Sequence, residues 1–146
     1  IEQFELRIRK EEPDFVGISV LMDFYGYTGH IAAEIIKSID KNIIVGLGGV
    51  HATANPERNV KDRNYDYVMC GEGEEMLPEL IHYINGERKT LPKGVWTYNT
   101  AGGHSELITD LDQYPFTICY ESRKEKSGRA CVISICKNTD IKGLPI

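Results

Sequence analysis

Two short apolar runs, each ending in small residues, constrain the fold of this chain more than any other feature. The first, residues 16–21, reads Val-Gly-Ile-Ser-Val-Leu, and the second, residues 43–51, reads Ile-Ile-Val-Gly-Leu-Gly-Gly-Val-His. Short β-branched runs of this kind are typical of buried strands. Between Leu21 and Gly48 lie 26 residues, which leaves room for one helix. The runs therefore predict neighbouring strands, and ligands of open α/β sheets bind outside the carboxyl ends of such strands.

The segments around these runs alternate between helical and strand patterns. A charged segment, residues 4–11, predicts the end of a helix, and residues 28–39 carry isoleucine at four-residue spacing, which predicts an amphipathic helix. Residues 65–70 predict a third strand. A further helix carries apolar residues at helical spacing until Asn85-Gly86 ends it. This alternation, with short connections, predicts a doubly wound parallel α/β sheet of Rossmann-like or flavodoxin-like kind.

The loop and tail regions are less regular. We expect residues 50–54 to form a loop, followed by a short helix that begins at Asn55-Pro56-Glu57 with asparagine as its cap. Residues 94–99 and 106–110 predict the two arms of a β-hairpin. A linker at residues 111–116, an exposed charged stretch at 121–129 and a strand at 130–136 are expected to follow.

These boundaries predict three segments. Residues 1–92 form the α/β domain, residues 93–118 form the hairpin and linker, and residues 119–146 form a charged tail.

Composition excludes several classes of function. The net charge is −5 and no basic run reaches five residues, which argues against a nucleic-acid partner. No apolar stretch approaches the roughly 18 residues of a membrane span. The first residues, Ile-Glu-Gln-Phe-Glu, are too charged for a signal peptide and lack an initiator Met, so we expect a piece of a longer protein. The four cysteines, at positions 70, 119, 131 and 136, have no CxxC spacing and predict reduced thiols in the cytoplasm.

The strand ends carry the candidate site. Gly48-Gly49 lets a backbone approach a ligand closely, or else forms only a tight turn. Ser19 offers a hydroxyl to a polar ligand tail, and Leu21 offers an apolar surface beneath it. Gly71-x-Gly73 follows the third strand, but it is not a dinucleotide fingerprint because position 76 is Met.

Taken together, these motifs resemble a known family. Ser-x-Leu followed at this spacing by Gly-Gly is similar to the cobalamin-binding domains of the methylmalonyl-CoA mutase and methionine synthase type. Residues 45–57 and 66–75 resemble more closely the N-terminal cobalamin-binding domain of radical SAM proteins. That group includes the anaerobic magnesium-protoporphyrin IX monomethyl ester oxidative cyclases, a type of Fe–S oxidoreductase. Residues 110–116 are similar to the segment that joins this domain to the radical SAM barrel, so the resemblance covers about residues 1–118.

The resemblance implies cobalamin as the cofactor, with its nucleotide tail among the strand ends and its corrin over the carboxyl edge of the sheet. It implies that Ser19 and Leu21 line the tail slot and that Gly48 and Gly49 let the tail pass. The remaining implied contacts lie in neighbouring loops. The implied cofactor-binding residues are Ser19, Leu21, Gly48, Gly49, His51, Gly71, Glu72 and Gly73. No catalytic residue and no metal ligand of this chain is implied.

The chain departs from the family pattern in three places. The mutase-type motif Asp-x-His-x-x-Gly, whose His is the lower cobalt ligand, is absent, so that ligand is unassigned. The first strand of the family fold would precede residue 1, and we expect residues 131–135 to take a place in the sheet instead. Residues 129–134 resemble the approach to the cluster motif Cys-x-x-x-Cys-x-x-Cys, but no cysteine follows Cys136. The resemblance therefore assigns the iron–sulfur cluster and S-adenosylmethionine to the parent protein only.

Several residues allow two interpretations. His51 is either a cobalt ligand or cofactor contact, or a loop histidine bonded to backbone. Glu72, Glu74 and Glu75 are either acid–base or metal-binding carboxylates, or charges that interact favourably with a helix N-terminus.

The aromatic residues Phe24, Tyr25 and Tyr27 either cover a corrin face or pack on the sheet edge. Of the other histidines, His30 is expected to be solvated or to pack on the aromatic loop, and His82 and His104 are expected at the surface.

The function that the resemblance implies is a cobalamin-binding module beside the radical SAM barrel of the same parent chain. The parent is expected to be an enzyme, an oxidative cyclase or a methyltransferase, while this chain alone is not expected to be catalytic. The alternative is a cobalamin-free structural or interaction domain that supports the barrel. A separate hydrolase or receiver-like switch is disfavoured, because the sequence offers no nucleophile with a base and an orienting group.

Overall fold

The two apolar runs form neighbouring strands at the centre of a sheet. The computed structural model describes residues 1–110 and the backbone of residues 131–136. The helices are α1 (Glu2–Glu11), α2 (Gly26–Ile39), α3 (Val50–Ala54), α4 (Pro56–Asn59) and α5 (Gly73–Ile84), with a 3₁₀ turn at Asp23–Tyr25. The strands are β1 (Phe15–Val20), β2 (Ile44–Gly48), β3 (Tyr67–Met69), β4 (Val95–Trp96) and β5 (Cys131–Cys136).

Within the described residues, these strands form one sheet in the order β4-β3-β2-β1-β5. β1, β2 and β3 are parallel to one another, as the alternation of helix and strand predicted. β4 pairs antiparallel with β3, and β5 pairs antiparallel with β1 along its whole length. The α/β fold class is therefore confirmed, and so is the expectation that residues 131–135 join the sheet.

The core lies on both faces of the sheet, because successive strand side chains point to opposite sides. On one face Val16 and Ile18 of β1 pack in a cluster with Ile36 of α2. On the other face Phe15 packs with Leu80 of α5. A helix covers each face, which makes this a doubly wound arrangement, and the carboxyl ends of the parallel strands are left for a site.

A partly buried lysine joins α2 to the sheet. Lys37 Nζ donates to Asp66 Oδ2 at 2.6 Å and to the carbonyl oxygen of Ile43 at 2.7 Å. The Lys37 side chain is 14% exposed. Asp66 Oδ2 also accepts from the backbone N–H of Val45 at 2.7 Å, so the Lys37–Asp66 pair contacts β2 as well as α2.

We expect Lys37→Met to lower the free energy of unfolding by about 1–3 kcal/mol, because it removes two hydrogen bonds from partly buried acceptors. Lys41→Met is the matched control. It removes the same charge from an exposed position, and we expect it to change the free energy by less than about 0.5 kcal/mol. Urea unfolding midpoints measure both. Equal midpoints for the two variants would contradict the role of Lys37.

Three local predictions differ from the structure. Residues 50–54, expected as a loop, form α3, and α2 begins at Gly26 rather than near residue 28. Asn55 is the N-cap residue of α4, as expected, but its side chain makes no capping hydrogen bond and its amide donates to Asp23. Of the expected hairpin, residues 94–99 contain β4, but β4 pairs with β3, and residues 106–110 contain no strand.

Other predictions lie outside the described residues. They are the linker at 111–116, the charged stretch at 121–129, and the side chains of Cys119, Cys131 and Cys136. The division into segments 1–92, 93–118 and 119–146 stays a prediction. Among the helices of the described residues, none has the length and apolar character needed to cross a lipid bilayer.

Candidate functional site

The carboxyl ends of β1, β2 and β3 lie at one edge of the sheet, because the strands are parallel. Ser19 and Gly48 are direct register partners on neighbouring strands. The sequence predicted this meeting of the two strand ends. Leu21 follows β1 and is exposed at the same edge.

Gly49 is required by the fold. Its φ is +88° and its ψ is −175°, a region that essentially only glycine adopts. A Cβ atom at this position would lie 2.6 Å from the carbonyl oxygen of Val20. The turn after β2 therefore presses directly on the end of β1, and the tight-turn interpretation applies to Gly49.

Gly48 differs from its neighbour, because the protein itself leaves space around it. A Cβ atom added at Gly48 would meet Met69 Cε at 3.6 Å, an ordinary van der Waals contact. A Cβ atom added at Gly73 would have no neighbour within 4 Å. A Cβ at Gly48 would thus fit without a clash, and Gly73 borders open space at the carboxyl edge, which is what close approach of a ligand requires.

Exposed apolar side chains surround this edge. We call them the apolar lip: Leu21, Met22, Phe24, Tyr27 and Val50. Phe24 is 88% exposed, so it does not pack on the sheet, whereas Tyr25 packs against the core. Phe24 therefore fits the interpretation as a cover for a corrin face, whereas Tyr25 fits the interpretation as a residue packed on the sheet. Exposed apolar residues gathered in adjacent loops are typical of a binding surface.

His51 is buried in α3, contrary to the expected loop position. Its Nδ1 atom hydrogen-bonds with Asp23 Oδ1 at 2.6 Å, so its partner is a carboxylate and not the backbone. A Cβ atom at Gly26 would lie 2.5 Å from the ring atom Cε1, which means that α2 begins directly against the ring. Sequence analysis did not identify Asp23. The sequence signal that could have identified Asp23 was its position soon after β1, at the carboxyl edge of the sheet.

The loop after β3 is hydrogen-bonded to α3 and to the segment that follows β4. Gly71 N donates to Thr53 Oγ1 at 3.1 Å, and Thr53 Oγ1 donates to the carbonyl oxygen of Gly49 at 3.2 Å. Glu72 Oε2 accepts from the backbone N–H of Ile108 at 2.8 Å, so this carboxylate holds the segment that follows β4. These bonds fix the position of the loop after β3 relative to α3, which follows β2, and to the segment that follows β4.

Glu74 and Glu75 lie in the first turn of α5, where a negative charge interacts favourably with the helix dipole. Among the described residues, no group of three or more His, Cys, Asp or Glu side chains is arranged to hold a metal ion.

Cys70 lies between the site and the core. Its Sγ atom donates to the carbonyl oxygen of Ala52 at 3.6 Å, and the thiol is free and buried. Burial raises the pKa of the Cys70 thiol from its ordinary value of 9.0 to about 11. The thiol is therefore a packed core group and not a nucleophile at neutral pH.

We expect the Cys70 thiol to make stability depend on pH in alkaline solution. Between about pH 9 and about pH 11 the folded protein keeps a proton that the unfolded chain has lost. The free energy of unfolding therefore falls as the pH rises through this window, by up to about 1.4 kcal/mol per pH unit. Urea midpoints measured across the window test this. Cys70→Ala is the control, and an equally steep fall in that variant would contradict the assignment.

Comparison with known proteins identifies the family of this chain. No solved structure matches the chain. It is 35% identical over 83 residues to an uncharacterized methyltransferase of Pyrococcus horikoshii; the match covers 56% of this chain, and the chain spans 18% of that relative. The B12 binding domain family matches residues 1–81, which is more than half of the chain. The chain therefore belongs to the B12 binding domain family.

Proposed function

We propose that this chain holds cobalamin at the carboxyl edge of β1, β2 and β3, as one module of a larger radical SAM enzyme. The room at Gly48 carries the proposal, because an added Cβ would meet a single atom, Met69 Cε, and only at the ordinary contact distance of 3.6 Å. Membership of the B12 binding domain family supports the choice of cofactor. When bound, cobalamin supplies a cobalt centre that carries a methyl group or an electron.

The residues at this edge fit a ligand with a polar tail and a broad apolar face. Ser19 presents a hydroxyl at the end of β1, and Gly48 leaves backbone accessible beside it. The apolar lip offers exposed surface to the corrin rim. In this arrangement Gly49 acts indirectly, because it brings the β2 turn against β1.

Residues 71–73 lie at the side of the proposed slot. Gly71 and Glu72 bond to Thr53 and Ile108, so we propose that they shape the slot. Gly73 borders open space and is the member of this loop that we propose approaches the cofactor.

The radical SAM part of the proposal rests on resemblance. Residues 45–57, 66–75 and 110–116 are similar to the corresponding segments of such proteins, including the oxidative cyclases. The Pyrococcus horikoshii relative is described as a methyltransferase, and this chain matches a minor part of it. We propose that the iron–sulfur cluster and S-adenosylmethionine bind to the parent protein outside this chain.

Cobalamin retention tests the first part. We expect the purified chain, mixed with hydroxocobalamin and then desalted, to keep the visible absorption of the corrin. The longer parent protein is examined in the same way, since it supplies the surroundings of the edge. A colourless chain together with a colourless parent would contradict the proposal. Iron and sulfide analysis of the parent, with release of 5′-deoxyadenosine on reduction, tests the radical SAM part separately.

One observation favours a second candidate, a cobalamin-free domain that supports the barrel. His51, the histidine of the predicted site, is buried and bonded to Asp23, so it offers no free ligand at the edge. In this case the apolar lip is covered by the rest of the parent. A colourless parent whose lip residues resist chemical labelling would support this second function.

A further inference from the structure

We infer that His51 is a positioning residue, which fixes the loop after β1 relative to the helix after β2 and so sets the width of the slot at this edge. The slot itself rests on the proposed function, whereas the positioning role is a property of the protein alone. We call the residues that make this connection the Asp23 clasp: Asp23, His51 and Asn55.

The clasp joins two loops through one carboxylate oxygen. Asp23 Oδ1 accepts from His51 Nδ1 at 2.6 Å and from Asn55 Nδ2 at 3.0 Å. Asp23 belongs to the loop after β1, and both donors belong to the segment after β2. One side chain therefore connects the two loops that border the proposed slot.

The loop after β1 depends on this connection because little else holds it. Residues 21–24 are four consecutive exposed residues, three of which are large and apolar. The Asp23 side chain is itself 68% exposed, and its anchor, the His51 side chain, is 9% exposed. Burial of apolar surface does not fix these residues, so the hydrogen bonds of Asp23 do.

His51 is a rigid anchor. Its carbonyl oxygen accepts from Asn59 Nδ2 at 3.2 Å, and the Asn59 side chain is buried. Gly26, the first residue of α2, packs on the ring, where a Cβ atom would lie 2.7 Å from Nε2. A larger residue at position 26 would displace the ring or the helix.

The same packing argues against His51 as a cobalt ligand. Nδ1 is used by Asp23, and Cε1 and Nε2 lie beside Gly26, where an added Cβ would be within 2.7 Å of both. The His51 side chain is only 9% exposed, so little of the ring is open to a metal ion. His51 therefore acts through Asp23, by holding the apolar lip in a fixed position before a ligand arrives.

Four variants test the inference. Asp23→Ala removes the acceptor from an exposed position, so the fold survives, while Asp23→Asn keeps an acceptor oxygen. His51→Ala removes the donor, while His51→Asn keeps an amide nitrogen near the place of Nδ1. The measured quantity is hydrogen exchange at the amide of Tyr25, which donates to the carbonyl oxygen of Met22 at 3.0 Å within the loop.

We expect both alanine variants to exchange at least about tenfold faster at Tyr25 than the wild type, and both asparagine variants to stay close to it. Wild-type exchange in Asp23→Ala would overturn the inference, whatever happens to His51→Ala.

Hydroxocobalamin binding provides a second measurement. We expect Asp23→Ala to weaken binding by about fivefold to tenfold, since a mobile lip must be ordered on binding. We expect the electron paramagnetic resonance spectrum of the reduced cobalt to be the same in His51→Asn as in the wild type. A nitrogen splitting that is present in the wild type and lost in His51→Asn would make His51 a ligand and overturn the inference. If the wild type binds no cobalamin, the proposed function fails, and exchange at Tyr25 still decides the positioning role.

Discussion

Replacement of Gly49 by alanine is expected to lower the free energy of unfolding by about 3 kcal/mol, which combines the strain of a glycine-only backbone conformation with a steric overlap. The φ of +88° excludes an L side chain without strain. The added Cβ would also lie 2.6 Å from the carbonyl oxygen and 3.0 Å from the amide nitrogen of Val20. These are backbone atoms of a central strand, so they do not move aside as a flexible side chain would.

Gly48→Ala is the matched control for Gly49→Ala, because it makes the same chemical change one residue earlier. Its Cβ meets a methyl group at 3.6 Å, and alanine also has less backbone freedom to lose on folding, so we expect a change of less than about 1 kcal/mol. Urea denaturation of both variants measures the difference. Similar midpoints for the two would show that the turn relaxes, and would contradict a rigid contact between the β2 turn and β1.

The pair also illustrates what a sequence pattern can predict. The Gly-Gly dipeptide after a buried run predicted a close approach at the end of β2, and the structure contains one. Whether each glycine serves the fold or a ligand depends on the atoms opposite it, and these come from β1 and β3. Local sequence does not describe those neighbours, so the two roles separate only in three dimensions.

The central strands were predictable because their pattern is local. β1 and β2 are short β-branched runs, and a helix of four-residue apolar periodicity lies between them. α3 was missed for the opposite reason. It has five residues and no side-chain cap, and a helix of that length is not stable alone. Buried Ala52 and the hydrogen bonds of His51 hold it in place.

The hairpin prediction was wrong in its second arm for a similar reason. A tight turn does exist, but it begins within the expected first arm, with Thr97 and Thr100 paired across it. After the turn, Gly102 lies against Val95, so close that an added Cβ would be 2.0 Å from the carbonyl oxygen of Val95. β4 then pairs with β3. A partner strand some 25 residues distant in the sequence is not visible in the alternation of a single segment.

The Asp23 clasp is the part of the site that sequence analysis did not find. Its two sides lie 28 residues apart, since His51 and Asp23 come from loops that follow different strands. A lone aspartate in an exposed loop resembles any solvated charge. Only the parallel pairing of β1 with β2 brings the loops together, and this pairing gives the histidine a carboxylate partner.

Gly48→Val is expected to weaken cobalamin binding by at least about tenfold, or about 1.4 kcal/mol, while the protein stays folded. The branched side chain extends beyond the Cβ position, which already lies 3.6 Å from Met69 Cε, into the volume that we propose the cofactor occupies. Valine is favoured in strands, and position 48 is the last residue of β2. The loss of affinity therefore reports a steric conflict with the ligand and not a collapse of the strand.

The series Gly, Ala, Val at position 48 makes this prediction specific. We expect affinity, measured by titration of hydroxocobalamin against the change in its visible absorption, to fall in the order of side-chain size. Urea midpoints of the three proteins are compared at the same time, because an unfolded variant also loses its ligand. Stable variants with the affinity of the wild type would place the cofactor away from Gly48.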